Sequence, residues 1–198
     1  MDSIKLFLTF MAALTLFSGC SGLEKAPPRK TYFNLAPTDG SDRLSADMNK
    51  QGDPILVKEL LIAPTFDSHA FIYRTGENEY QADFYNEFVS YPARLITDRV
   101  TESLYASQWF CKPLTDKKQD IRFRLSGKIL KLYADLRPAA RPAAVMEIRL
   151  VLERKQGREF TAFFSRTYRT DFPLEPFSPK AAAAAWSRGL SETISRFQ

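Results

Sequence analysis

The chain has 198 residues, with 28 Lys and Arg against 23 Asp and Glu, for a net charge of +5. That excess is too mild to argue for a nucleic-acid partner, and it suits a protein close to anionic headgroups or to an acidic partner. Sixteen Phe and an aromatic content of 13% can fill a core, and 179 of the 198 residues remain once 19 leader residues are removed, enough for one compact domain.

The leader comes first. Leu6 to Phe17 is apolar except for Thr9 and Thr15. As a helix this run reaches only about 18 Å, short of the roughly 30 Å core of a bilayer. Its length is that of a secretory h-region. The n-region is weak, because Lys5 and the terminal amine are opposed by Asp2. Ser18 and Gly19 supply small residues before a cut, and Cys20 follows, with Phe17 where such signals usually carry Leu. The expectation is a lipoprotein signal peptide over residues 1–19, with Cys20 as the N-acylated, S-diacylglyceryl first residue of the mature chain. An ordinary signal peptide, or a short buried helix containing Cys20, is the competing reading. More than one acyl chain is needed for stable anchoring, each buried CH₂ contributing about 0.8 kcal/mol. By analogy with known Gram-negative lipoproteins, Ser21 in place of Asp favours the outer membrane. With Cys20 lipidated, Cys111 has no disulfide partner, and its setting in Trp109-Phe110-Cys111 reads as a buried apolar thiol.

Residues 20–30 form a tether. Pro27 and Pro28 among charged neighbours favour extended backbone, and the arm spans up to about 33 Å. Thr31 to Leu35 reads as a short strand stopped by Pro37. Residues 38–53, polar and carrying Gly40 and Gly52, read as a loop. Pro54 to Ala63 is nearly continuously apolar and predicts a strand covered on both faces. Pro64 to Ser68 breaks it. Ala70 to Arg74 and Glu79 to Phe84 then form a hairpin about Gly76-Glu77-Asn78. Pro92 opens a helix over Ala93 to Ala106, with Leu95, Ile96, Val100 and Leu104 on one stripe.

Beyond Pro113 the pattern has period two. Ile121, Phe123, Leu125, Gly127 and Ile129 alternate with polar residues, and the strand continues to Ala134. A proline-bearing loop follows over Leu136 to Pro142. Val145 to Glu153 alternates again, Gln156-Gly157 turns, and Phe160, Ala162, Phe164, Arg166 and Tyr168 share a face of the next strand. These three strands predict an antiparallel meander. Ser178-Pro179 supplies an N-cap and a first-turn proline for a closing helix, whose stripe is Trp186, Leu190, Ile194 and Phe197. The fold class expected is α/β of α+β type: a single domain over 31–198, a mixed, mostly antiparallel sheet of about six strands with two amphipathic helices packed on it.

No constellation of catalytic residues emerges. His69 is the only histidine and follows Asp67 and Ser68. Triads normally draw on distant segments, so a surface turn is the better reading. One His and one unmodified Cys do not make a usual zinc set, and no acidic run has calcium-loop spacing. No cofactor and no metal are expected. Tyr73 and Arg74 are the best candidates for a partner interface, since an arginine beside an aromatic is a common anchor. The alternative for Arg74 is a strand-end salt bridge with Glu77 or Glu79. Arg122, Arg124 and Lys128 read as a solvated sheet face before they read as headgroup ligands. Both helical stripes read as core before they read as a lipid groove.

Taken together, several segments resemble one family. They are Tyr32-Phe33-Asn34-Leu35 soon after the cysteine; Leu61-Ile62-Ala63-Pro64-Thr65-Phe66-Asp67; Ile72-Tyr73-Arg74; Tyr80; Phe84-Tyr85; Pro92; Leu125-Ser126-Gly127-Lys128-Ile129-Leu130; and the closing Ala-rich helix. This pattern, over residues 31 to 197, resembles the ABC-type transport auxiliary lipoproteins, which include PqiC-like proteins. Phe88 stands where that pattern carries Trp after an Asn-Glu pair. The resemblance implies a non-catalytic envelope component, lipid-anchored in the outer membrane and facing the periplasm. It would dock the MCE-domain periplasmic protein of an ABC/MCE-type lipid transport system. It adds Tyr80, Tyr85 and Phe88 to Tyr73 and Arg74 as candidate interface residues, and it is compatible with a homo-oligomer. A structural or assembly lipoprotein of another outer-membrane complex is the second reading.

Overall fold

The computed structural model describes residues 29–35, 52–107, 109–113, 121–138 and 140–198. The expectations placed on the leader, on Cys20 and on the polar loop up to residue 51 lie outside the described residues.

The sheet is built on its longest local signal. The period-two run forms strand β7, Phe123–Asp135, and the next alternating run forms β8, Ala143–Gln156. The two pair antiparallel along nearly their whole length. Gly157, with φ of 61°, turns the chain into β9, Glu159–Pro173, which pairs antiparallel with β8. This is the expected meander, and β8 and β9 run longer than the alternation alone predicts. Gly127 lies inside it for a steric reason: a Cβ there would sit 2.3 Å from the Arg149 carbonyl oxygen.

The other edge of β7 is shared by three short parallel partners in turn. β2, Asp53–Val57, pairs with Phe123 to Leu125; β3, Leu61–Ile62, with Lys128 and Ile129; β4, Ala70–Arg74, with Ala134 and Asp135. The apolar run 54–63 is therefore two strands and not one. It breaks over Lys58 to Leu60, and Leu60 turns into the core while its N–H donates to Thr97 Oγ1 at 2.9 Å. The expectation that both faces of this run are covered is corrected as well, because Leu61 is 68% exposed and Leu56 is also exposed. Burying Leu60 repays the break, since a fully buried Leu side chain contributes about 1.5–3 kcal/mol.

β5, Tyr80–Phe88, pairs antiparallel with β4, and β1, Thr31–Phe33, adds parallel to the far side of β5 at Asn86 to Phe88. A two-residue strand β6, Phe110–Cys111, which the sequence pattern did not predict, lies beside β2. The nine strands form one mixed sheet in which the long pairings are antiparallel and the short ones are mostly parallel.

Among the described residues, two α-helices complete the domain. α1, Pro92–Ala106, buries Ile96, Val100 and Leu104 along the expected stripe. α2, Pro179–Phe197, starts where Ser178 Oγ accepts from the Ala181 N–H at 3.1 Å. It packs on β8 and β9, and Gly189 lets it approach: a Cβ there would lie 2.5 Å from Thr170 Oγ1. Trp186, 1% exposed, meets Phe71 edge-on at 4.9 Å and Phe88 at 5.6 Å. The fold is a single α+β domain around one apolar core.

Candidate functional site

The residues singled out in sequence converge on the β4–β5 hairpin, though not as a flat surface. Between Ala70 and Ile72 on β4 the facing residue jumps from Glu87 to Ala82, so β5 arches outward over residues 83–86. Asp83 holds the arch. Its Oδ1 accepts from the N–H groups of Tyr85 (2.8 Å) and Asn86 (3.1 Å), and its Oδ2 from the Asn86 side-chain amide (2.8 Å) and the Tyr73 hydroxyl (2.6 Å). Burial alone would push this carboxyl up. The hydrogen bonds from Tyr73, Tyr85 and Asn86 outweigh it and hold Asp83 below the ordinary carboxylate range. The Tyr73 hydroxyl is pushed up, first by burial and then by its bond to Asp83.

The arch presents Phe84, 70% exposed, and Tyr85 together, their rings edge-to-face at 5.1 Å. Lys30 pairs with Glu87 and places its ammonium 5.1 Å over the Phe84 ring. Exposed Tyr32 lies beside it on β1. The patch is aromatic, carries one cation, and sits where the chain coming from Cys20 enters the sheet.

Each expected interface residue now has a place. Tyr85 is on the patch. Tyr80 is exposed but leans edge-on against Phe66 and Tyr133. Tyr73 stands behind the arch and positions it. Arg74 is tied back: its Nη2 donates to the Glu77 carbonyl at 2.6 Å and to Oε2 at 3.2 Å, which is the strand-end salt bridge. Arg137 bridges Glu77 to Asp135 in the same network. Phe88 is corrected from interface to core. It is 2% exposed and packs between Phe71 and Trp186, because the strand regains its pairing with β4 at Glu87 and points Phe88 inward. Sequence reasoning missed Asp83, whose signal was an Asp two residues before Tyr85 in a strand, a residue type that favours local backbone hydrogen bonds over a regular ladder.

The Asp67-Ser68-His69 run forms no relay. Ser68 Oγ accepts from the Ala70 N–H at 3.1 Å. His69 lies in the bend before β4, as the turn reading has it, and is half-buried there, with Nδ1 3.2 Å from the Phe88 carbonyl and its ring 4.1 Å from Tyr91. Cys111 is a free thiol, half-buried, donating to the Gly52 carbonyl at 3.2 Å. It is less covered than its apolar neighbours suggested. Among the described residues no group of three His, Cys, Asp or Glu could hold a metal. Arg124 is bidentate with Glu153 at 2.6 Å and Arg122 meets Asp53 at 2.8 Å. Lys128 is exposed.

A second feature lies at the other end of β7. A bulge between Leu152 and Glu153 leaves Phe163 without a partner on β8, so consecutive Phe163 and Phe164 both wall one cleft. The cleft, about 250 Å³, is otherwise lined by Leu104, Trp109, Phe110, Leu152 and Phe197, with Ser107 and Gln198 as its polar members. Trp109 and Phe163 are 71% and 51% exposed.

No family model and no curated protein matches the chain. Solved structures define its class by fold. The chain is similar to protein XCC0632 from Xanthomonas campestris, described by the family model DUF330, with a TM-score of 0.62 at 18% identity over 75% of this chain and 86% of that one. It is also similar to an uncharacterized protein, with a TM-score of 0.64 at 10% identity over 85% and 96% of the two chains. The hypothetical protein CT253 from Chlamydia trachomatis gives 0.50 at 9% identity over 74% and 95%. The chain thus has the fold of a DUF330-type domain.

Proposed function

We propose that this chain is a lipoprotein anchored through Cys20 in the outer membrane. In this reading it is a non-catalytic, PqiC-like docking component of an ABC/MCE-type lipid transport system. The acyl chains fix the domain in place, and the exposed face of β5 receives the end of the periplasmic MCE protein. The observation that carries the reading is the arched Phe84-Tyr85 pair, pinned from behind by Asp83 and set beside the tether's point of entry. A rigid aromatic pair costs little conformational entropy on binding and belongs to the residue types that dominate interfaces. The lipoprotein-type leader and the DUF330-type fold are consistent with an envelope auxiliary protein. The test is co-purification of the mature lipoprotein with the MCE-domain protein encoded beside it. Association at micromolar concentration that is lost in Phe84→Ala/Tyr85→Ala supports the reading, and no association counts against it.

A further inference from the structure

We propose that the cleft at the β8–β9 turn holds the end of one acyl chain of an anionic phospholipid, with Arg154 on its phosphate. The walls are apolar and aromatic, and among the described residues no carboxylate side chain lines them. At about 250 Å³ the cleft falls below the roughly 300–1,000 Å³ of whole-ligand pockets, so it suits a chain segment and not an entire amphiphile.

The charge beside the cleft is selective. Of the four arginines at this end of the sheet, Arg122 and Arg124 are neutralised by Asp53 and Glu153, and Arg158 sits in the β8–β9 turn itself. Arg154 is exposed, and among the described residues no carboxylate pairs with it. Its guanidinium lies 5.0 Å over the Phe163 ring, a wall of the cleft, and 5.7 Å over Phe123, which packs on Phe110, another of its lining residues. A cation resting on aromatic faces stays available for an anion at the mouth of the apolar slot. An apolar tail joined to a negative headgroup matches that arrangement. The choice of phospholipid over other anionic amphiphiles rests on the reading that the mature chain is held at a membrane.

The experiment uses the mature lipoprotein in membranes of cells grown on radioactive phosphate, with Phe163 replaced by a photo-crosslinking benzoylphenylalanine. A phosphate-labelled adduct is expected, enriched in anionic over zwitterionic phospholipid relative to the membrane. Arg154→Glu, at an exposed site, lowers it about tenfold, the size of one lost charge-assisted hydrogen bond, and Arg154→Lys retains most of it. The same crosslinker at Phe84 gives none. Absence of label at position 163, equal label at both positions, a purely proteinaceous adduct, or indifference to Arg154→Glu overturns the proposal. Palmitate incorporation in the same sample reports the anchor separately, so an empty cleft on an anchored protein is told apart from a protein that was never anchored.

Discussion

The Tyr73 hydroxyl donates to the Asp83 carboxylate at 2.6 Å, and through that bond an inner strand sets the shape of its exposed neighbour. Asp83 has all its described hydrogen bonds within the β4–β5 hairpin, and three of its four donors belong to the arch itself. Removing the hydroxyl in Tyr73→Phe, or the charge in Asp83→Asn, should cost about 1.5–3 kcal/mol, the usual worth of a hydrogen bond to a charged group. Urea denaturation checks the stability. Docking should weaken more than stability in both variants, because Phe84 and Tyr85 lose their fixed relation. Equal binding by Tyr73→Phe and the parent would show that the arch holds without its pin.

Acid should loosen the domain. Asp83, Asp135 and Glu153 all lie below the ordinary carboxylate range. For Glu153 the first cause is the Arg124 guanidinium; for Asp83 and Asp135 hydrogen bonds outweigh the upward push of burial. A group whose folded value is depressed contributes stability above its unfolded value of roughly 4, and that stability is lost as pH falls through the folded value. Thermal melts should therefore be level near neutrality and fall below about pH 4. In Asp83→Asn the fall should be shallower. A midpoint that rises on acidification would contradict the sign.

Two glycines of this chain differ in what they tolerate. Gly127→Ala drives a methyl against the Arg149 carbonyl, backbone that cannot swing aside, and should cost about 1–3 kcal/mol or more. Gly157→Ala meets nothing within 4 Å and pays only for its left-handed φ of 61°, about 1–2 kcal/mol. Chemical denaturation of the two variants side by side checks the order. A milder loss at Gly127 would mean that β7 and β8 can part locally.

Phe88 separates packing from recognition. Phe88→Ala opens a hole between Phe71 and Trp186 and should cost about 3–5 kcal/mol. Whatever fraction stays folded should bind the partner as the parent does, since the side chain is not on the surface. Calorimetric unfolding and binding measured on the folded fraction together make the distinction.

Much of the fold was legible. Alternation gave β7, β8 and β9, and Ser178-Pro179 and Pro92 marked both helix starts, because these signals are local. What escaped needed tertiary facts. The turn of Leu60 into the core relies on Thr97, 37 residues away, which offers its N–H a partner. The cleft went unseen because Phe163 sits on the polar phase of its strand until a bulge turns it beside Phe164. Among candidate interface residues, Tyr85 is on the exposed patch and Tyr73 behind it, while Phe88 looked equivalent until the arch reset its direction. Nothing in periodicity distinguishes an aromatic before such an arch from one after it.

What touches Phe84 in the cell decides between docking of the MCE-domain protein and any other role. With a benzoylphenylalanine crosslinker at that position in the membrane-anchored protein, illumination of intact cells should yield an adduct with the MCE-domain protein, sharply reduced by Asp83→Ala. A strong adduct to an unrelated outer-membrane complex, or none at all from a properly lipidated and folded chain, would contradict that docking.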